Sequence, residues 1–174
     1  MPCGMQAGAD FAAIRQRVRK HADSSAAFAA TGRCREAKAK AAEAAGELVT
    51  SRDNYFMAAI RWGAAQWPID ENNDKNLFYN GKKRECFTSY AKLADHQVEP
   101  LFIPLDDKAL PAWLDLPPNY AGGRIPVVIF VPGMDSIKEA SVWLSMASRI
   151  SGAALPCSRW KAPASTSVRR LAST

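Results

Sequence analysis

Long apolar runs are missing from this sequence of 174 residues. Its longest apolar stretch is far shorter than the roughly 20 residues that a membrane-spanning helix needs. The N-terminus also lacks a basic segment followed by an apolar one. We therefore expect no secretion signal and no membrane partner.

Because no C-x-x-C spacing occurs, we interpret the cysteines as free thiols of a cytoplasmic protein and predict no metal site and no cofactor. They are Cys3, Cys34, Cys86 and Cys157.

Acidic residues are absent from residues 151–174, which carry four basic residues and so most of the net charge of +6. A nucleic-acid-binding surface would need that charge on the folded body, so we expect no nucleic-acid partner. Apolar residues make up 48% of the chain, enough for the core of one domain, or of a small domain plus part of another.

Helical periodicity dominates residues 1–95. An Ala/Glu/Lys-rich segment predicts a helix whose small stripe of Ala41, Ala45 and Leu48 would pack closely on a neighbour. The helix after it has two apolar faces and is expected to be buried on more than one side. Its aromatic residues are also candidates for a substrate pocket, although plain core packing is the better-supported explanation. These candidates are Tyr55, Trp62 and Trp67. The predicted helices cover residues 11–21, 35–49, 54–67 (after the cap residues 50–53) and 84–94, with a loop over 69–83.

The periodicity changes at His96. Residues 98–105 and 110–116 read as two strands joined by the polar turn Asp106-Asp107-Lys108. Prolines in both segments favour an edge hairpin, because proline cannot donate to a ladder of hydrogen bonds.

The stretch R-I-P-V-V-I-F-V-P-G-M-D-S-I-K-E, residues 124–139, then combines a strand, a turn and a helix start. Ile125–Val131 is dense enough in β-branched residues to predict a strand buried in a parallel sheet. Pro132-Gly133 forms the turn, and Ser136 with Glu139 is spaced as a capping box. Such a turn can be a plain connection, or it can direct backbone N–H groups at an oxyanion or a phosphate.

Together with L-P-A-W-L-D-L-P-P before it, this stretch resembles the start of the catalytic domain of α/β-hydrolases. The nearest groups are the FrsA-like esterases and the 2,6-dihydropseudooxynicotine hydrolase type of C–C bond hydrolase, which also carry an aromatic helical region similar to S-R-D-N-Y-F-M-A-A-I-R-W. The resemblance covers about residues 35–145. It implies that the backbone N–H of Met134 belongs to an oxyanion hole, with Gly133 permitting the bend, and that the full-length parent acts on a small molecule.

The resemblance implies an incomplete α/β fold. A helical, cap-like region would cover residues 1–95, and the first strands and helix of a hydrolase sheet would cover 96–150. The G-x-S-x-G nucleophile motif is absent, and both histidines, His21 and His96, precede the turn instead of following a nucleophile. We interpret both as ordinary histidines and Asp135 as a helix cap. The chain alone is therefore expected to be inactive.

Residues 151–174 read as a disordered, out-of-frame tail. Regrouping their codons by one base forces Glu from Trp160-Lys161 and permits V-A-L-L-A-V-E-G-P-G-Q, a strand and Gly-Pro-Gly turn that suit the family. This reading predicts a frameshifted, truncated hydrolase whose central strand lacks its neighbours.

Two other functions remain open from the residues. A non-enzymatic interaction protein would bind a partner through its helices and acidic surfaces through its basic tail. A phosphate-binding protein is less well supported, since Pro-Gly-Met-Asp-Ser lacks the glycines and lysine of a P-loop. The oligomeric state is left open.

Overall fold

Four α-helices precede a β-hairpin in the computed structural model, which describes residues 4–118, 120–129, 131–133 and 136–141. The helices are α1 (Gly4–Arg17), α2 (Ser24–Ala44), α3 (Leu48–Gln66) and α4 (Asp74–Leu93), and the strands are β1 (Gln97–Leu105) and β2 (Lys108–Leu116). Short 3-10 helices cover His21–Asp23 and Lys138–Ser141. This order agrees with a helical region followed by the start of an incomplete α/β fold.

Helix α3 lies between α2 and α4 and supplies most of the core. The predicted burial of this helix on more than one side is confirmed, because Tyr55, Phe56 and Trp62 are all buried. Trp62 packs at 5.5 Å between ring centroids against Tyr79 of α4. On its other side, a side chain on Gly32 of α2 would come within 3.0 Å of the indole, so glycine there allows the two helices to approach.

The helices differ from the prediction mainly at their ends. Helix α1 ends at Arg17, α2 begins at Ser24 well before the predicted start at Arg35, and α3 begins at Leu48, so the expected cap residues lie inside it. The predicted loop over residues 69–83 is wrong beyond Asn73, whose side chain accepts a hydrogen bond from the Asn76 N–H and caps α4. The polar residues at the start of α4 have the composition of a loop, which is why the prediction failed there.

The buried face of α2 also differs. Ala41, Ala45 and Leu48 are exposed, whereas Arg35 and Glu36 are buried together with Ala39 and Ala42. The prediction failed because it assigned charged residues to the solvent side. Here the charges are buried with partners, which removes most of the desolvation cost.

One buried polar network joins the first three helices. Arg35 of α2 binds Asp10 of α1 through Nε and Nη2, with N–O distances of 2.8 to 3.0 Å, and donates through Nη1 to Asn54 of α3 at 2.9 Å. Arg61 of α3 donates to the second Asp10 oxygen at 3.3 Å. Each of these four side chains belongs to a buried residue, so the network fixes α1 on the helix pair α2–α3.

The hairpin agrees with the sequence prediction. β1 and β2 pair antiparallel, from Gln97 with Leu116 to Leu105 with Lys108, across the turn at Asp106-Asp107. Asp106 has a φ of 51°, a left-handed conformation that aspartate tolerates better than most residues. Trp113 of β2 packs on Phe87 of α4 in a tilted arrangement, with 4.7 Å between the ring centroids, which attaches the hairpin to the helices.

The predicted central strand is not part of a sheet in the described part of the chain. Residues 125–129 and 131 form no strand, and Val128 is 91% exposed. Among the described residues the sheet contains β1 and β2 alone. Apolar side chains of this segment therefore face water, as expected for a strand without neighbours.

His96, at the junction of α4 and the hairpin, lies between two carboxylates. Its Nδ1 is 3.0 Å from Asp95 and its Nε2 is 3.3 Å from Asp115 of β2. The hydrogen bond to Asp115 raises the pKa of His96, burial opposes the rise, and Asp95 adds to it, so the pKa lies above its ordinary value. Only the protonated ring can donate to both carboxylates at once.

Stability should consequently fall with rising pH around neutrality. Because the folded-state pKa exceeds the unfolded value of 6.5, the contribution of His96 is complete below pH 6.5 and is lost as pH rises through the folded-state pKa. His96→Gln should flatten this part of the curve of unfolding free energy against pH, measured by urea denaturation. His21→Gln, at an exposed histidine, should leave it in place. An unchanged pH dependence in His96→Gln would contradict the assignment.

Hydrogen exchange should separate the helices from the unpaired segment. We expect the amides of residues 127–129 to exchange at rates close to those of an unfolded chain, since no described residue accepts from them. The amides of α3 between Phe56 and Ala65 should be the most protected, because they open only when the core opens. Mass spectrometry of the intact chain measures both, and strong protection at 127–129 would show that this segment is paired.

Candidate functional site

The segment after the Pro132-Gly133 turn is attached to the helical region by a close apolar contact. A Cβ atom on Gly63 of α3 would overlap with Cδ1 of Ile137, so Ile137 fills the space that glycine leaves. The turn itself is closed by a hydrogen bond from the Ser136 N–H to the Gly133 carbonyl at 3.0 Å. Gly133 is exposed, while Met134 and Asp135 lie outside the described residues.

A buried ion pair makes the second attachment. The Glu139 carboxylate is fully buried, 3.9 Å from Nζ of Lys83 in α4 and 2.8 Å from Nζ of Lys138. Burial raises the pKa of Glu139, but the charges of Lys83 and Lys138 outweigh it and hold the pKa below its ordinary value. Burial in turn lowers the pKa of Lys83. The predicted capping box is therefore wrong: Glu139 pairs with lysines and Ser136 donates to Gly133.

A cavity of about 250 Å³ lies beside this contact, between α1, α2, α3 and residues 136–140. Trp67, one of the three pocket candidates, lines it together with apolar side chains and the guanidinium-bearing Arg61. The apolar residues that enclose it are Phe11, Phe28, Ile60 and Ile137.

Tyr55 and Trp62 lie elsewhere, in the core between α2, α3 and α4. Trp62 is fully buried and its Nε1 donates to Glu36 at 3.3 Å, while the Tyr55 hydroxyl donates to Glu43 at 2.7 Å. Burial, followed by the hydrogen bond to Glu43, raises the pKa of Tyr55 to about 12. The structure thus does not bring the three aromatic candidates together, and their part in a pocket stays a prediction.

Nucleophiles and metal ligands are sparse in the described part of the chain. Burial raises the pKa of the Cys86 thiol to about 12, so it is protonated and inert at neutral pH. No group of three or more His, Cys, Asp or Glu side chains is arranged there to hold a metal ion. Nor is any described helix long and apolar enough to cross a bilayer.

Sequence reasoning missed Arg61, Lys83 and Gly63. One signal was available for Arg61, which stands inside the apolar run A-A-I-R-W and therefore needs a buried partner. No local pattern marks Lys83 or Gly63, because their partners come from residues 137–139, far along the chain.

The chain is similar to a curated protein that is named as an α/β-hydrolase. It is 34% identical over 103 residues, or 58% of its length, to "Alpha/beta hydrolase xenA" of Xenoacremonium sinensis. That alignment covers 24% of the relative, so the chain spans about a quarter of the protein it matches. No family model and no solved structure matches. The similarity supports the α/β-hydrolase superfamily, in agreement with the resemblance at residues 124–139.

The packing of Ile137 on Gly63 can be tested by replacing the glycine with a larger residue. Gly63→Ala should force Ile137 to move and lower the free energy of unfolding by about 1–3 kcal/mol, despite alanine's better helix propensity. Gly81→Ala is the matched control in α4. Nothing lies within 4 Å of the new methyl group, so stability should rise by about 0.5–1 kcal/mol.

A second substitution identifies the cause. Ile137→Ala in the Gly63→Ala background should restore part of the lost stability, because the two side chains compete for one space. Strictly additive effects in urea denaturation would show that residue 137 does not pack on α3.

Proposed function

We propose that this chain is the N-terminal part of a serine α/β-hydrolase of the FrsA-like or 2,6-dihydropseudooxynicotine hydrolase type. Its parent would be cytoplasmic and would cleave an ester, or a C–C bond next to a carbonyl, in a small molecule. The similarity to an α/β-hydrolase about two and a half times as long supports the class. So does the order of elements, with helices first, then a hairpin, then the strand-like segment and its turn.

The proposed role of the turn is oxyanion stabilisation. When the nucleophilic serine of the parent attacks a carbonyl carbon and its histidine takes the hydroxyl proton, negative charge develops on the carbonyl oxygen. The N–H of Met134 would donate to that oxygen, with Gly133 permitting the bend. The observation that carries this proposal is the anchoring of the following residues by Ile137 on Gly63 and by Glu139 on Lys83. These contacts would let the helical region hold the donor in place.

The out-of-frame reading of residues 151–174 belongs to the same proposal. The regrouped codons permit a buried strand and a Gly-Pro-Gly turn where the parent needs the next strand. Under this reading residues 125–131 would pair with that strand, and the serine, acid and histidine would follow beyond it.

The proposal predicts that activity depends on the missing part. Purified residues 1–174 should hydrolyse p-nitrophenyl esters no faster than background, because they contain no G-x-S-x-G. A chain continued in the regrouped frame with the downstream hydrolase half should be active. In that chain, Met134→Pro removes the proposed donor and should lower kcat by roughly 100-fold or more, as loss of one oxyanion donor typically does.

Met134→Ala is the control, since it keeps the backbone N–H and should change kcat little. Ester hydrolysis by residues 1–174 that survives repeated purification would contradict the proposal. So would a nucleotide sequence whose regrouped codons meet a stop within the strand.

A further inference from the structure

Arg61 is the one charged residue among the described residues that line the 250 Å³ cavity beside Ile137. Only 4% of its surface is exposed, although it carries a guanidinium with five N–H donors. Among the described residues, its polar contact is the hydrogen bond from Nε to Asp10, at a long 3.3 Å. Arg35 binds Asp10 at the shorter distances of 2.8 to 3.0 Å, so the hydrogen bond from Arg61 to Asp10 is the weaker one.

The two Nη nitrogens of Arg61 have no acceptor among the described residues. Phe11 covers one face of the guanidinium, with 4.3 Å between the guanidinium carbon and the ring centroid. This cation–π contact stabilises the charge but leaves the N–H groups, which lie in the guanidinium plane, without partners. Neither Nη belongs to the fully buried side-chain atoms that lack a partner among the described residues, so both keep some contact with solvent, from which an anion or a ligand can reach them.

The other residues that line the cavity, together with its volume, determine which chemical groups the rest of such a ligand can carry. The other walls of the cavity are mostly aromatic and aliphatic, with Ser136 as the one further polar residue among the described lining. The large apolar residues are Phe11, Phe28, Ile60, Trp67 and Ile137. At about 250 Å³ it is smaller than the roughly 300–1,000 Å³ typical of sites for drug-sized molecules. One ring with a short acidic chain matches both the volume and the single cation, because a planar guanidinium binds a carboxylate through paired hydrogen bonds.

We propose that this cavity is a binding site for a small aryl carboxylate, with the Nη nitrogens of Arg61 on the carboxylate and the ring between Trp67 and Ile137. The site lies within the present chain and needs no catalytic residue, so it is independent of the proposed hydrolase activity. The ion pairs of Asp10 with Arg35 and Arg61 hold α1 on α2 and α3, and they keep Arg61 in position to bind the carboxylate.

Isothermal titration calorimetry on the full chain tests the proposal with phenylacetate and its uncharged isostere phenylacetamide. Phenylacetate should bind about tenfold more tightly or better, since the amide lacks the charge that strengthens hydrogen bonds to arginine. Arg61→Met should remove this preference while leaving amide binding nearly unchanged. Arg33→Met is the matched control, because Arg33 is an exposed arginine that lies over Trp62 at 5.8 Å outside the cavity.

A further variant covers the case in which Arg61→Met fails to fold, as judged by far-ultraviolet circular dichroism. Ala64→Leu enlarges a side chain of the cavity wall and leaves Arg61 and Asp10 unsubstituted, and it should weaken both ligands at least tenfold. The proposal is overturned if the wild-type chain does not bind phenylacetate, or binds it no better than the amide. It is equally overturned if a folded Arg61→Met keeps the preference or Ala64→Leu binds normally.

Discussion

The carboxylate of Asp10 is the group on which the arrangement of the helical region depends. It lies on α1 and is bound by Arg35 of α2 and Arg61 of α3, all three buried. Because Ile14 is the one buried apolar residue among the described side chains of α1, this ionic contact is a main determinant of where the helix docks. Removing one partner of such a buried pair typically costs about 3–5 kcal/mol, whereas the intact pair adds little net stability. Its effect is therefore mainly on geometry.

The same helices then serve as a platform for the segment after the turn. Two different contacts hold residues 136–140 on the helices: a glycine that leaves room for Ile137, and a buried Glu139 beside Lys83. The apolar contact fixes distance, and the ion pair fixes orientation, since a buried carboxylate must stay near its cations. An element proposed to bind an oxyanion is thus supported by residues outside the sheet.

The sheet is the least complete part of the described structure, since it contains only the strands β1 and β2. The hairpin forms because its two strands are adjacent in sequence and can pair across a two-residue turn. A parallel strand instead requires a partner separated by a crossover of a dozen or more residues. Val127 and Val128, with the composition of a buried strand, are 68% and 91% exposed because the described residues offer them no such partner.

Local patterns in the sequence determined the helical character of much of residues 9–95, though not of the first turns of α2 and α4, as well as the hairpin with its turn at Asp106 and the apolar segment at 125–131. Periodicity and turn chemistry act over a few residues, so they can be read directly. Only the tertiary structure decided which charges are buried. Arg35 and Glu36 look like solvent-facing residues until Asp10, 25 positions before Arg35, and Trp62, 26 positions after Glu36, supply their partners. The cavity at Arg61 and the contact of Gly63 with Ile137 likewise arise from residues distant along the chain, whose proximity no local pattern encodes.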